Sequence, residues 1–176
     1  MMSKPFEQML TGGHHNSLGR TIEVVDLVLA DPGLFPELFA TYQSQDEVVR
    51  LRTSNAMRRV EAVRHDLLVP YIDRFIEEIG ALDQASAQWT LAVLFNLLRG
   101  DMDATQQAGA LAVMKRNLAE HNDWIVLNNT METLTDWAAD VRGLSEWLAP
   151  HLERLKKDPR KSVAARARKF AARLQG

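Results

Sequence analysis

The residues in this sequence that could do chemistry are few, and their spacing limits what they could do. Glu61 and His65 stand four apart, the separation at which two side chains on one helix face can share a metal ion. The other histidines, His14, His15, His121 and His151, join no recognisable ligand set with that pair, so neither a metal nor a cofactor is expected. There is no cysteine, which removes a thiol nucleophile, a cysteine zinc site and a disulfide scaffold. No Gly-rich phosphate loop, no Gly-x-Ser-x-Gly elbow and no Asp-rich metal motif occurs. What remains is charge in clusters: Asp73, Glu77 and Glu78; then Lys115 and Arg116; then Arg142, Glu146, Glu153 and Arg154. A basic run follows with Lys156, Lys157, Arg160, Lys161, Arg166, Arg168, Lys169 and Arg173. Such groups recognise charged surfaces rather than make or break bonds.

The charge is unevenly laid out. Residues 1–151 carry 12 Lys/Arg against 21 Asp/Glu, a balance of −9, whereas residues 152–176 carry 9 against 2, a balance of +7. The composition, with 46% hydrophobic and 25% charged residues, 9 Gly and 6 Pro, suits a globular chain richer in helix than in turns. No apolar run follows Met1, and the most apolar stretch, Leu91 to Leu98, is too short to span a bilayer. A cytoplasmic protein without a membrane partner is expected.

Helices must position these charges, and their apolar stripes can be read off. Ile22, Val25 and Leu29 have helical spacing, and Leu34, Phe35, Leu38, Phe39 and Tyr42 form a second stripe after Asp31-Pro32-Gly33. Val49, Thr53, Ala56, Met57 and Val60 share a face of a helix starting near Asp46. Leu67, Leu68, Tyr71, Ile72, Phe75, Ile76 and Ile79 give the strongest amphipathic pattern, with Pro70 in a first turn where its missing N–H costs little. The segment from about Gln84 to Leu98 is apolar nearly all round. Ala104, Ala108, Leu111, Met114 and Leu118 follow, then Trp124, Leu127, Met131, Leu134 and Ala138. The last two stripes are Val141, Leu144, Leu148, Leu152 and Leu155, and Val163, Ala167, Phe170 and Leu174. Short connections make neighbouring helices antiparallel.

The chain also repeats. Helix-start aspartates Asp46, Asp83, Asp123 and Asp158 recur at gaps of 37, 40 and 35 residues. Leu68-Val69-Pro70-Tyr71-Ile72-Asp73-Arg74-Phe75 returns 80 residues later as Leu148-Ala149-Pro150-His151-Leu152-Glu153-Arg154-Leu155, two periods of about 40. Asp46-Glu47-Val48-Val49-Arg50-Leu51-Arg52-Thr53-Ser54-Asn55-Ala56 resembles the first helix of a HEAT repeat: a capping Asp, then Val-Arg, then a small residue where helices approach. Asp158 to Ala167 is a looser match that lacks the Arg after Val163.

The resemblance to HEAT and armadillo-like proteins implies an all-α, right-handed α-α superhelix of about four hairpins with a C-terminal capping helix. It would occupy residues 18–176, behind a flexible tail over residues 1–17. It implies an Asp46–Arg50 pair, and a concave side formed by the second helix of each hairpin. Asp73, Glu77, Glu78, Lys115, Arg116, Arg154, Lys157, Arg160 and Lys161 are then the candidate binding residues, on a surface grading from acidic to basic. The plain alternative for each is a solvated helix face. The function expected is a non-enzymatic protein-binding or scaffolding module. The alternative is a nucleic-acid-binding protein distantly similar to HEAT-like alkylpurine DNA glycosylases, with Trp137 beside Asp136 or Asp140 as the nearest analogue of their tryptophan and carboxylate. The acidic bulk of residues 1–151 opposes DNA, and Trp124 and Trp147 fit apolar stripes, where tryptophan is a packing anchor.

Overall fold

The computed structural model describes residues 5–176, and every regular element among them is helical. The α-helical segments are α1 (Pro5–Leu10), α2 (Thr21–Ala30), α3 (Phe35–Ala40), α4 (Glu47–Val63), α5 (Ile72–Arg74), α6 (Ala85–Leu98), α7 (Ala104–Glu120), α8 (Trp124–Ala138), α9 (Leu144–Leu155) and α10 (Lys161–Gln175). The chain divides into two compact units whose boundary, between Thr90 and Leu91, falls inside α6. None of these helices is long and apolar enough to cross a membrane.

In the first unit α4 is central, packed by α1 and α2. Its start is fixed by Asp46, whose carboxylate accepts the Val48 N–H at 2.9 Å. That is an N-cap satisfying one of the orphan donors of a first turn. Val49, Ala56, Met57 and Val60 are fully buried, as their spacing predicts. The strongest predicted stripe keeps its burial at Leu68, Ile72, Phe75 and Ile79, while Ile76 is only half-buried. It is not one regular helix: 3-10 turns at His65–Leu67 and Val69–Tyr71 precede α5, and Phe75–Ile79 forms a π turn closed by Gly80 N–H donating to Phe75 O at 2.9 Å. Pro70 cannot donate, so the chain winds tightly around it. In the repeated stretch Pro150 lies inside α9 instead, so the two copies bury equivalent residues (Leu148, Leu152 and Leu155) on different local backbones.

The tail expected over residues 1–17 needs correction for its described part; residues 1–4 lie outside the described residues. Phe6 and Leu10 are buried in a short helix packed on α2, α3 and α4. The loop beyond it closes around Arg52, a side chain only 1% exposed. Two further expectations change. In α2 the buried row is Thr21, Val24, Val25 and Val28, and Ile22 is exposed. In α7 it is Ala110, Val113, Met114, Asn117 and Leu118, while Ala104 and Ala108 face solvent.

In the second unit two layers are evident. The end of α6, α8 and α10 form one: Thr133 Oγ1 donates to Ala92 O at 2.8 Å, and α10 packs along α8 with Val163, Ala167 and Phe170 buried. Helices α7 and α9 form the other. Asp103 and Gln106 make a reciprocal capping box at the start of α7, and Gly143 starts α9 at φ 81, a conformation glycine takes without steric cost.

Candidate binding surface

The flank of α7 and α9 brings two cations together around an aromatic pair. On α9, Leu144, Leu148, Leu152 and Leu155 are buried. Trp147, His151 and Arg154, spaced i, i+4 and i+7, therefore share a different row. The Trp147 and His151 rings meet at a tilt of 33° with centroids 4.2 Å apart. The Lys115 ammonium of α7 lies 5.1 Å from the Trp147 ring centre, a cation–π distance. Lys115 makes no ion pair with any described residue. Arg154 donates to the Leu118 carbonyl at 3.0 Å and lies 3.5 Å from His151 Nδ1. Burial, then the charge of Arg154, pushes the His151 imidazolium below the usual histidine range. Arg154 is the permanent cation that disfavours the protonated ring. The arrangement can offer two positive charges on an apolar aromatic floor; it contains no nucleophile and no acid–base pair.

Of the nine sequence candidates, this surface unites Lys115 and Arg154. Arg116 is exposed beside them and donates to Asn117 Oδ1 at 3.1 Å. Lys157 and Lys161 are exposed. Arg160 is committed to structure: it chelates Asp158 at 2.8 Å and 2.9 Å and also reaches the Asn122 carbonyl. Its hydrogen bonds hold the Asp158 carboxyl down to about 2. Asp73, Glu77 and Glu78 are exposed in the first unit. Glu78 pairs with Arg74 at 2.7 Å, which lowers its carboxyl below the ordinary range. The basic run is partly neutralised too, with Arg166 at 3.6 Å from Glu132 and Arg173 at 2.8 Å from Asp136.

Trp147 and His151 were missed as surface residues. Trp147 reads as core by its type, and only the row it shares with His151 and Arg154 marks it otherwise. The expected Asp46–Arg50 pair does not form. Asp46 holds the Val48 N–H and the Thr11 hydroxyl. Arg50 turns instead to Gln84 Oε1 and, at 2.6 Å, to the Ser44 carbonyl, because the cap already occupies the carboxylate. Glu61 and His65 do meet, at 2.6 Å, but among the described residues no three His, Asp or Glu side chains come together as a metal site would require.

The constellation around Trp137 is packing. Trp137 is fully buried. Its Nε1–H donates to Asn96 Oδ1 at 3.2 Å, and the Asn96 amide donates on to Asp136 at 3.1 Å. The Arg99 guanidinium covers the indole at 4.6 Å and pairs with Asp140 at 2.5 Å. Both carboxylates are bound to arginines, and the ring is closed to any base. Trp124, expected inward, is 49% exposed at the start of α8. Compared with known proteins, the chain matches no family model and no curated sequence.

Proposed function

We propose that this protein is a non-enzymatic binding module, built on HEAT-like stacked helices, that docks an acidic segment of a protein partner on the α7–α9 surface. One observation carries the reading: Lys115 lies over the Trp147 ring and Arg154 beside His151, and neither makes an ion pair among the described residues. Cations of this kind gain most when an acidic partner desolvates them, and the aromatic floor adds contact area of the sort that concentrates binding energy. The solenoid reading is supported by the two-layer arrangement of α6 to α10 and by the recurring aspartate caps at Asp46 and Asp123.

A protein partner is favoured over nucleic acid because Lys115 and His151 both lie against the Trp147 ring, which leaves that ring a poor stacking platform for bases. The cations of α10 that would follow a phosphate backbone are in part tied to Glu132 and Asp136. The testing experiment is capture from the native host with wild type and with a Lys115→Glu/Arg154→Glu variant, beside a DNA-retention assay at physiological salt. A discrete partner lost on charge reversal, without DNA retention, is the expected result.

A further inference from the structure

We propose that α4 carries a second ligand site, in the first unit: the Arg58 guanidinium, seated on the Trp89 ring, and the adjacent Arg59 together take a doubly charged phosphate group. The Arg58 guanidinium carbon lies 4.4 Å from the Trp89 ring centre.

Packing sets this arrangement. Val49, Ala56, Met57 and Val60 form the buried row of α4, so Arg58 falls on its flank and Arg59 on its exposed side. The start of α6 is held against α4 by Gln84, whose amide donates to the Glu47 carbonyl at 3.0 Å and whose Oε1 accepts from Arg50. Trp89, in the next turns of α6, is thereby brought to Arg58 and is half-buried.

Arg58 is marked out by its open donors. Its Nε is fully buried and bonded to nothing, and among the described residues Nη1 and Nη2 make no hydrogen bond or ion pair. Stacking uses the face of a guanidinium and leaves its in-plane donors free. With Nε enclosed, the Nη1–Nη2 edge is the one a ligand can reach. Arg52, buried on the same helix, shows the contrast. Its N–H groups are bonded to the carbonyls of Leu10, Gly12, His14 and Ser17, and a guanidinium so satisfied calls for no ligand.

No carboxylate balances Arg58. The groups that act on it electrostatically are Arg59, which repels it, and Tyr42. Burial pushes the Tyr42 phenol far above its usual range, so it stays neutral and supplies no counter-charge. Glu61, one turn along α4, is 8% exposed and bound to His65 at 2.6 Å. Burial, then Arg59, holds the Arg58 guanidinium below the usual arginine range, yet an arginine keeps its charge. Arg59 donates through Nε to a neutral acceptor, Asn55 Oδ1, at 2.7 Å, and makes no ion pair among the described residues. Two neighbouring cations thus repel with no acid group between them. A phosphate dianion relieves both: two oxygens match the Nη1–Nη2 fork, a third is left for Arg59, and the charges cancel. A carboxylate carries one charge and would leave one arginine unbalanced.

The test is calorimetric titration of the full chain, at neutral pH and constant ionic strength, with inorganic phosphate, a phosphoserine peptide and acetate. Wild type should bind phosphate saturably, and acetate about tenfold more weakly or less tightly still. Equal affinity for the two phosphates means that the free group is read alone, and tighter peptide binding assigns it to a phosphorylated chain. Arg58→Gln and Arg59→Gln should each weaken phosphate binding about tenfold or more. Arg59→Gln leaves Trp89 covered and decides the matter if Arg58→Gln does not fold. Arg168→Gln, which removes an exposed cation of α10, should change nothing. No saturable phosphate binding by wild type, acetate bound as well as phosphate, undiminished binding in Arg59→Gln, or an equal loss in Arg168→Gln would overturn the site and leave the α7–α9 reading untouched.

Discussion

The guanidinium of Arg99 lies 4.6 Å from the ring centre of Trp137 and binds Asp140 at 2.5 Å. This places the largest fully buried side chain and its neighbouring carboxylate in one structural network. Trp137 buries its ring, Asn96 satisfies its N–H, and Arg99 closes it from solvent. A tryptophan so enclosed sets the spacing between α6 and α8.

Phe75 is fully buried and meets Phe39 edge-on at 5.2 Å. Phe75→Ala should cost ~3–5 kcal/mol, the range for deleting a buried aromatic ring. Chemical denaturation measures it, and a loss below about 1 kcal/mol would show that this face is not a core face.

Arg52→Met should destabilise the first unit by more than about 2 kcal/mol, because the loop carbonyls lose their donor while remaining partly buried. The loss should be local before it is global. Limited proteolysis should cut between Leu10 and Ser17 in the variant and leave wild type intact there; equal protection of that loop in both would contradict the role given to Arg52.

Helix α10 docks through Val163, Ala167 and Phe170, all buried. Removing residues 160–176 should uncover the α8–α9 surface beneath them and cause self-association, read by light scattering. A truncated chain that stays monomeric and equally stable would mean that α10 is a separable arm.

Asp158 supplies a pH signature. Arg160 draws its carboxyl from 3.8 down to about 2, so the unfolded chain takes up a proton at a higher pH than the folded one. The stabilisation is therefore complete above the unfolded value and is lost as pH falls from about 4 toward 2. Asp158→Asn should be less stable than wild type at neutral pH, and the difference should vanish at the acid end. A difference independent of pH over that window would rule out the ion pair as its cause.

Much of this fold can be read in the sequence where one stripe has one phase. Val49, Ala56, Met57 and Val60 of α4 point one way because the opposite face is polar. In α2, Ile22, Val24, Val25, Leu27, Val28 and Leu29 are apolar on several sides, so spacing alone cannot select the buried row. Trp124 fits its stripe by position but sits at the first residue of α8, where it is 49% exposed. The loop of residues 11–17 carries ordinary turn signals, and its partner Arg52 is 35 to 40 residues away, a separation at which no local pattern can announce the contact. The candidate surface is half legible: Lys115 and Arg154 stand out by charge, while Trp147 and His151 join them only when α7 and α9 lie side by side.

The most direct measurement compares wild type with Lys115→Glu/Arg154→Glu in capturing a protein from native-host extract, with both chains shown to be equally folded and with DNA retention assayed at physiological salt. Wild type is expected to hold a discrete partner that raised salt releases and the variant lacks, with no DNA retained. The same partner held equally by the variant, or DNA retained tightly by wild type, would contradict docking on the α7–α9 surface.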